Sequence, residues 1–187
     1  MSLQIFKANM LRYMQNQEGI QSSDDFATTL TNEYDLMVKR GFQTINNIPV
    51  QTGNKQSMES LAKIACKIAL TVRSGNHTFI DDLGKAIVMY WTGATLVIPA
   101  PPPITPAIGA LANVASVKAF VSNPGQWSPI GPTPPIDDSN IFLDTLIGGI
   151  QSHLLTIEFF YETVSIYPTS PIPLPGILQS TGYTIPG

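Results

Sequence analysis

The chain has 187 residues, a formal net charge of −3, and 12% charged residues, about half of the roughly 25% usual in soluble domains. Without clustered lysines and arginines, this charge excludes a nucleic-acid binder, because such proteins gain affinity by releasing counterions from phosphates. The low charge indicates that part of the surface is covered by partners rather than by water. The C-terminal half, residues 97–187, has one basic residue, Lys118, and five acidic residues: Asp137, Asp138, Asp144, Glu158 and Glu162.

Two helices are predicted before residue 41. Apolar residues at helical spacing predict the first helix over about residues 2–17: Leu3, Phe6, Met10 and Met14. We place the N-cap of the second helix at Ser23, with two aspartates in its first turn, and its end before Gly41. Its apolar face consists of Phe26, Leu30, Tyr34 and Met37.

A third helix is predicted by a seam of apolar residues three and four apart: Met58, Leu61, Ala65, Ile68 and Val72. Two hypotheses fit this seam, packing inside a helical bundle and a coiled coil with another chain. We favour the bundle, because two heptads are short for an isolated zipper. Beside the seam, Cys66 is interpreted as a buried thiol, since no base that could activate it as a nucleophile is recognisable nearby.

A fourth helix is predicted with Asp81 and Asp82 in its first turn and an inward face of Phe79, Leu83, Ala86, Ile87 and Tyr90. The two aspartates could form an acid–base pair or a metal site. However, adjacent helical positions point about 100° apart, and no Glu or His lies four residues further along the helix. We therefore interpret both carboxylates as complements of the helix dipole.

A proline-rich excursion over residues 95–136 follows the fourth helix. Residues 95–98 predict an edge strand or an extended segment. Residues 99–106 predict polyproline geometry that acts as a rigid spacer or, alternatively, as a ligand for an SH3-like groove. A fifth helix is predicted from Thr105 through Ala115 and extended to Phe120. The prolines and polar residues also interrupt the uncharged run from residue 86, so we expect no membrane span.

Trp127 lies among five prolines in residues 124–136. A tryptophan in such a loop docks onto an apolar surface, because its ring is costly to leave in water. The surface could belong to the same chain or to a neighbouring subunit, and the sequence leaves both open.

The longest helix is predicted over about residues 140–165, capped by residues 137–139, with Gly148 and Gly149 compensated by close helix packing. His153 on this helix could form a site with Glu158 or Asp144. We favour a hydrogen-bonded histidine, because no second ligand group completes a metal set. The uncharged residues 166–187 predict an apolar extended arm that lies on a surface.

Residues 25–35 (DFATTLTNEYD), residues 90–94 (YWTGA) and the Pro/Gly-rich remainder resemble small virion structural proteins of tailed bacteriophages, of the tail, neck or baseplate type. The resemblance concerns the general character of the whole chain and not a specific motif, so no functional residues are transferred from it. It implies a virion location and assembly in the host cytoplasm.

The sequence therefore predicts an all-α fold: a helical bundle of five to six helices over residues 1–165, with a proline-rich extended excursion and a C-terminal arm. We expect a structural subunit of a larger symmetric assembly that associates with itself or with other structural subunits, not an enzyme. We expect no cofactor, metal, membrane, nucleic-acid or small-molecule partner. The alternative is an adaptor that presents its proline-rich segments to a partner protein. The expected contact residues are Trp127, Pro134, Pro135, Ile172, Leu174, Ile177 and Tyr183.

Overall fold

The computed structural model describes residues 3–16, 22–43, 48–71, 78–97, 114–134, 138–165, 178–181 and 183–184. The helices of this part of the chain are α1 (Leu3–Gln15), α2 (Ser23–Lys39), α3 (Lys55–Thr71), α4 (Phe79–Trp91) and α5 (Ser139–Leu154). Its strands are β1 (Phe42–Gln43), β2 (Ile48–Thr52), β3 (Thr95–Val97), β4 (Val114–Asn123), β5 (Glu158–Ser165), β6 (Leu178–Thr181) and β7 (Tyr183–Thr184).

The helices pack side by side around one core. α2 lies against α1 and α3, α4 lies against α3 and α5, and α1 lies against α5. The predicted helical bundle is confirmed, and so are the inward faces predicted for α2 and α4, all of whose residues are buried. Among the described residues, no helix combines the length and the apolar character required to cross a membrane.

Hydrogen-bonded aromatic residues lie at the centre of the bundle and join α2 to α4. The indole N–H of Trp91 donates to the Tyr34 hydroxyl at 2.9 Å, and the Tyr90 hydroxyl donates to Oδ1 of Asp35 at 2.7 Å. Burial raises the pKa of Tyr34 well above its ordinary value, so this phenol stays protonated. The Asp35 carboxylate is buried but compensated, because Lys39 Nζ reaches its Oδ2 at 2.8 Å and Lys55 lies at 3.9 Å.

The strands form one antiparallel sheet in the order β6-β5-β4-β3-β2-β1-β7, which the all-α expectation did not include. β6 occupies one end of this order by pairing with β5, and β7 occupies the other end by pairing with β1. Only Gly182 separates β6 from β7 in the chain. The strands at the two ends of this order are therefore neighbours in the chain.

Two predicted helices are corrected by the sheet. The fifth predicted helix is wrong from residue 114 onwards, because Val114–Asn123 is strand β4. Residues 98–113 lie outside the described residues. The longest predicted helix ends at Leu154 instead of residue 165, and Glu158–Ser165 is strand β5. The two segments pair with each other over most of their length, and their β-branched and aromatic residues suit a pleated strand.

Smaller differences concern strand position and helix capping. The strand predicted at residues 95–98 exists as β3, but it lies between β2 and β4 rather than at an edge. The N-cap of α2 is Ser22 and not Ser23, since the Ser22 hydroxyl accepts the Asp25 N–H at 3.2 Å. The predicted division at residue 166 falls outside the described residues.

We predict that Asp35→Asn lowers the free energy of unfolding by roughly 2–4 kcal/mol, because the new amide nitrogen cannot accept the hydrogen bond from Lys39 at a buried position. The control is Asp144→Asn, which removes the ion pair at 2.5 Å between Lys7 and a largely exposed carboxylate. This exposed pair contributes only about 0–1 kcal/mol. Urea denaturation of both variants gives the two values, and equal losses would contradict a special role of Asp35.

Candidate interaction surface

Trp127 docks onto its own chain, between α4 and α5. A Cβ added at Gly84 of α4 would lie 2.1 Å from the indole, and one added at Gly149 of α5 would lie 2.4 Å from its far edge. Both helices therefore need glycine where the ring approaches their backbones. Of the two surfaces that the sequence left open for Trp127, the structure shows the one provided by the same chain.

A buried carboxylate, Asp81, fixes the loop that carries this tryptophan, which we call the Trp127 loop (residues 123–134). Its Oδ1 accepts from the indole N–H of Trp127 at 3.0 Å and from the backbone N–H of Ile130 at 2.8 Å. Its Oδ2 accepts from the N–H of Gly131 at 3.2 Å. Hydrogen bonds to a charged acceptor are the strong ones, so Asp81 anchors the loop in addition to lying in the first turn of α4.

The other end of the Trp127 loop is held by the C-terminal end of α5. Nε2 of the buried His153 lies 2.8 Å from the carbonyl oxygen of Pro124, and the N–H of Gln126 donates to the Thr156 hydroxyl at 2.9 Å. A carbonyl only accepts, so Nε2 carries a hydrogen in this contact. Nδ1 is buried and has no hydrogen-bond partner among the described residues. Burial lowers the pKa of His153, and the bond to Pro124 only partly opposes this.

The other expected contact residues are only partly described. Pro134 is half-buried at the end of the Trp127 loop, and Tyr183 lies in β7, where its backbone is in register with Gln43. Pro135, Ile172, Leu174 and Ile177 lie outside the described residues. Their role as contacts stays a prediction.

The outward side of α3 exposes large apolar side chains that the sequence placed in a buried seam or overlooked. Ile64 is 52% exposed and Ile68 is 42% exposed, next to the half-buried Leu61. These three residues, which we call the α3 face, lie within about 60° of one another around the helix. The buried positions are instead Met58, Ala62, Ala65 and Cys66, so the predicted seam is wrong at Ile68.

Two further large apolar side chains are exposed on α5, about 21 Å apart along the helix. Ile141 is 51% exposed, and Leu155, which continues the helical backbone as the C-cap, is 68% exposed. Gly148 lies midway between them, and a Cβ added there would meet no atom within 4 Å. Residues seven apart lie about 20° apart around a helix, so Ile141, Gly148 and Leu155 form one line, which we call the α5 face.

A small apolar pocket of about 190 Å³ opens among the helices beside Leu70, which is 70% exposed. Its lining is Met14, Ser23, Phe26, Cys66, Ala69, Leu70, Phe79 and Phe142. A dry apolar space of this size suits a single hydrocarbon or aromatic group. Burial raises the pKa of the Cys66 thiol to about 11, so this side chain remains a thiol in the pocket and is a poor nucleophile.

The described residues contain no group of three or more His, Cys, Asp or Glu side chains placed to hold a metal ion. Of the side chains that the sequence offered for chemistry, Asp81 and His153 bind the Trp127 loop. Comparison with known proteins gives no match to a family model, a curated protein or a solved structure.

The adjacent glycines of α5 allow a sharp test of the docking of Trp127. We predict that Gly149→Ala lowers the free energy of unfolding by about 1–3 kcal/mol, because its Cβ collides with the indole and with Ile130. Gly148→Ala should raise it by up to about 1 kcal/mol, since alanine is the better helix former and meets open space. Thermal or urea unfolding measures both effects, and similar effects for the two variants would refute the placement of the indole.

His153 predicts a pH dependence of stability. Because its pKa is lowered in the folded state, the unfolded chain binds more protons just below the ordinary value of 6.5. The stabilisation is therefore complete above that pH and is lost as the pH falls from it through the lowered pKa of the folded state. We expect the unfolding free energy to fall more between about pH 7.5 and pH 5.5 in the wild type than in His153→Gln. Parallel pH profiles in urea denaturation would contradict this.

Proposed function

We propose that this protein is a structural subunit of a larger symmetric assembly, a bacteriophage virion protein of the tail, neck or baseplate type. The observation that carries the proposal is the exposed apolar face on α3, in a chain with only 12% charged residues. Contiguous apolar side chains on a surface mark places where another protein binds. The virion location and assembly in the host cytoplasm follow from the resemblance of the sequence.

The way in which the chain uses its other large apolar groups supports the same proposal. Trp127 and Phe159, two large aromatic side chains, are packed against their own chain. The large apolar side chains that are exposed in the described part of the chain lie instead on helices or at a helix end. These are the surfaces on which the proposal rests.

We expect the purified full-length protein to form a discrete oligomer whose molar mass is a multiple of 20.2 kDa. Light scattering coupled to size-exclusion chromatography, repeated over about two decades of protein concentration, measures this mass. Apolar contacts should make the oligomer persist at high salt, where exposed ion pairs are screened. A protein that remains a monomer at every concentration would refute self-assembly of the free subunit.

A further inference from the structure

We propose that the apolar pocket at one end of the helical bundle binds a free, neutral molecule with a single aromatic ring. The described residues that line the pocket come from all five helices, since Met14 lies on α1, Phe26 on α2, Ala69 on α3, Phe79 on α4 and Phe142 on α5. The pocket is therefore a recess between the helices and not a face of one helix. This inference does not depend on the proposed assembly, because the recess belongs to a single chain.

The size of the pocket fits one ring. Its volume is about 190 Å³, and an engineered apolar cavity of about 150 Å³ in another protein binds benzene. There is therefore room for a benzene ring with a small substituent.

The inner wall of the pocket is apolar and formed by side chains that the fold itself buries. Phe26, Phe79 and Phe142 are all buried, whereas Leu70 is exposed beside the opening. Ser23 is the only residue of the described lining that carries a hydroxyl group. Because a bound water molecule needs two to four polar partners, an apolar ligand suits this wall better than water.

The composition of the wall favours an aromatic ligand over an aliphatic one. The ring centroids of Phe26 and Phe79 lie 6.3 Å apart, and those of Phe79 and Phe142 lie 5.9 Å apart, so the three rings form a continuous aromatic wall. Aromatic rings in contact gain free energy beyond the burial of their area. The sulfur atoms of Met14 and Cys66 also make favourable contacts with aromatic rings.

The electrostatics of the pocket disfavour a charged ligand, and an anion most of all. The described lining contains no charged side chain, so a charge that moves from water into the pocket stays unpaired, which is costly. Burial raises the pKa of the Cys66 thiol, and the negative charge of Asp24 raises it further. The negative potential of Asp24 therefore reaches the pocket and opposes the entry of an anion.

The experiment measures the binding of fluorobenzene to the full-length protein by fluorine NMR. We expect a saturable change of the fluorine signal in the wild type and its loss in Ala69→Leu, because the larger side chain occupies the pocket. Ala69 is half-buried and borders open space, and leucine is a good helix former, so this variant should fold, as circular dichroism can verify. Ala8→Leu makes the same substitution at an exposed position of α1 outside the pocket. This control should bind fluorobenzene like the wild type.

Displacement of bound fluorobenzene tests the class of ligand. Benzene should displace it at a lower concentration than cyclohexane, and the anion benzoate should not displace it. N-acetylphenylalaninamide carries the same ring on a peptide backbone, as a side chain of a partner protein does. It should also fail to displace fluorobenzene, because its amide groups would leave water at an apolar opening without hydrogen-bond partners.

The absence of saturable binding to the wild type, or unchanged binding to Ala69→Leu, would overturn the proposed site. Cyclohexane that competes as well as benzene would overturn the preference for an aromatic ring, and displacement by benzoate would overturn the requirement for a neutral ligand. Displacement by N-acetylphenylalaninamide would overturn the assignment to a free molecule. The molar mass of the wild type tests the proposed function separately.

Discussion

The buried carboxylate of Asp81 is the interaction on which the arrangement of the surface depends. Its hydrogen bonds to the indole of Trp127 and to the backbone of Ile130 and Gly131 hold the Trp127 loop across α4 and α5. An unpaired carboxylate at this depth would be costly, so the loop and the helix stabilise each other. As a result, the largest exposed apolar groups of the described chain lie on helices and not on the loop.

The helices could be predicted because their determinants are local. Apolar spacing and first-turn aspartates fixed α1, α2 and α4 to within a few residues. The sheet could not be predicted in this way, because β4 and β5 stabilise each other across an intervening helix. In addition, the apolar positions of residues 158–165 fit the period of a helix as well as that of a strand. The pairing of β7 with β1 joins residues that are even farther apart in the chain.

The interaction surface shows the same limit of local reasoning. A period of three to four residues shows which residues of α3 share a side of the helix. It does not show whether another helix covers that side. Ile68 is therefore exposed although it continues the row of the buried Met58 and Ala65. From the sequence alone, Asp81 is interpreted only as a complement of the helix dipole. Its hydrogen-bond partners lie 46 to 50 residues away in the chain, so no local pattern reveals them. Of the two glycines in α5, only the structure distinguishes Gly149, which contacts Trp127, from Gly148, which faces open space.

The central claim is that the chain folds its tryptophan loop onto itself and leaves the α3 face to its neighbours. An electron cryo-microscopy reconstruction of the assembled protein, at a resolution that shows side chains, tests this most directly. We expect Trp127 between Gly84 and Gly149 of its own chain, and Ile64 and Ile68 of each copy buried against a neighbouring subunit. A reconstruction with Trp127 inserted into a neighbouring subunit, or with the α3 face in contact with solvent, would contradict the claim.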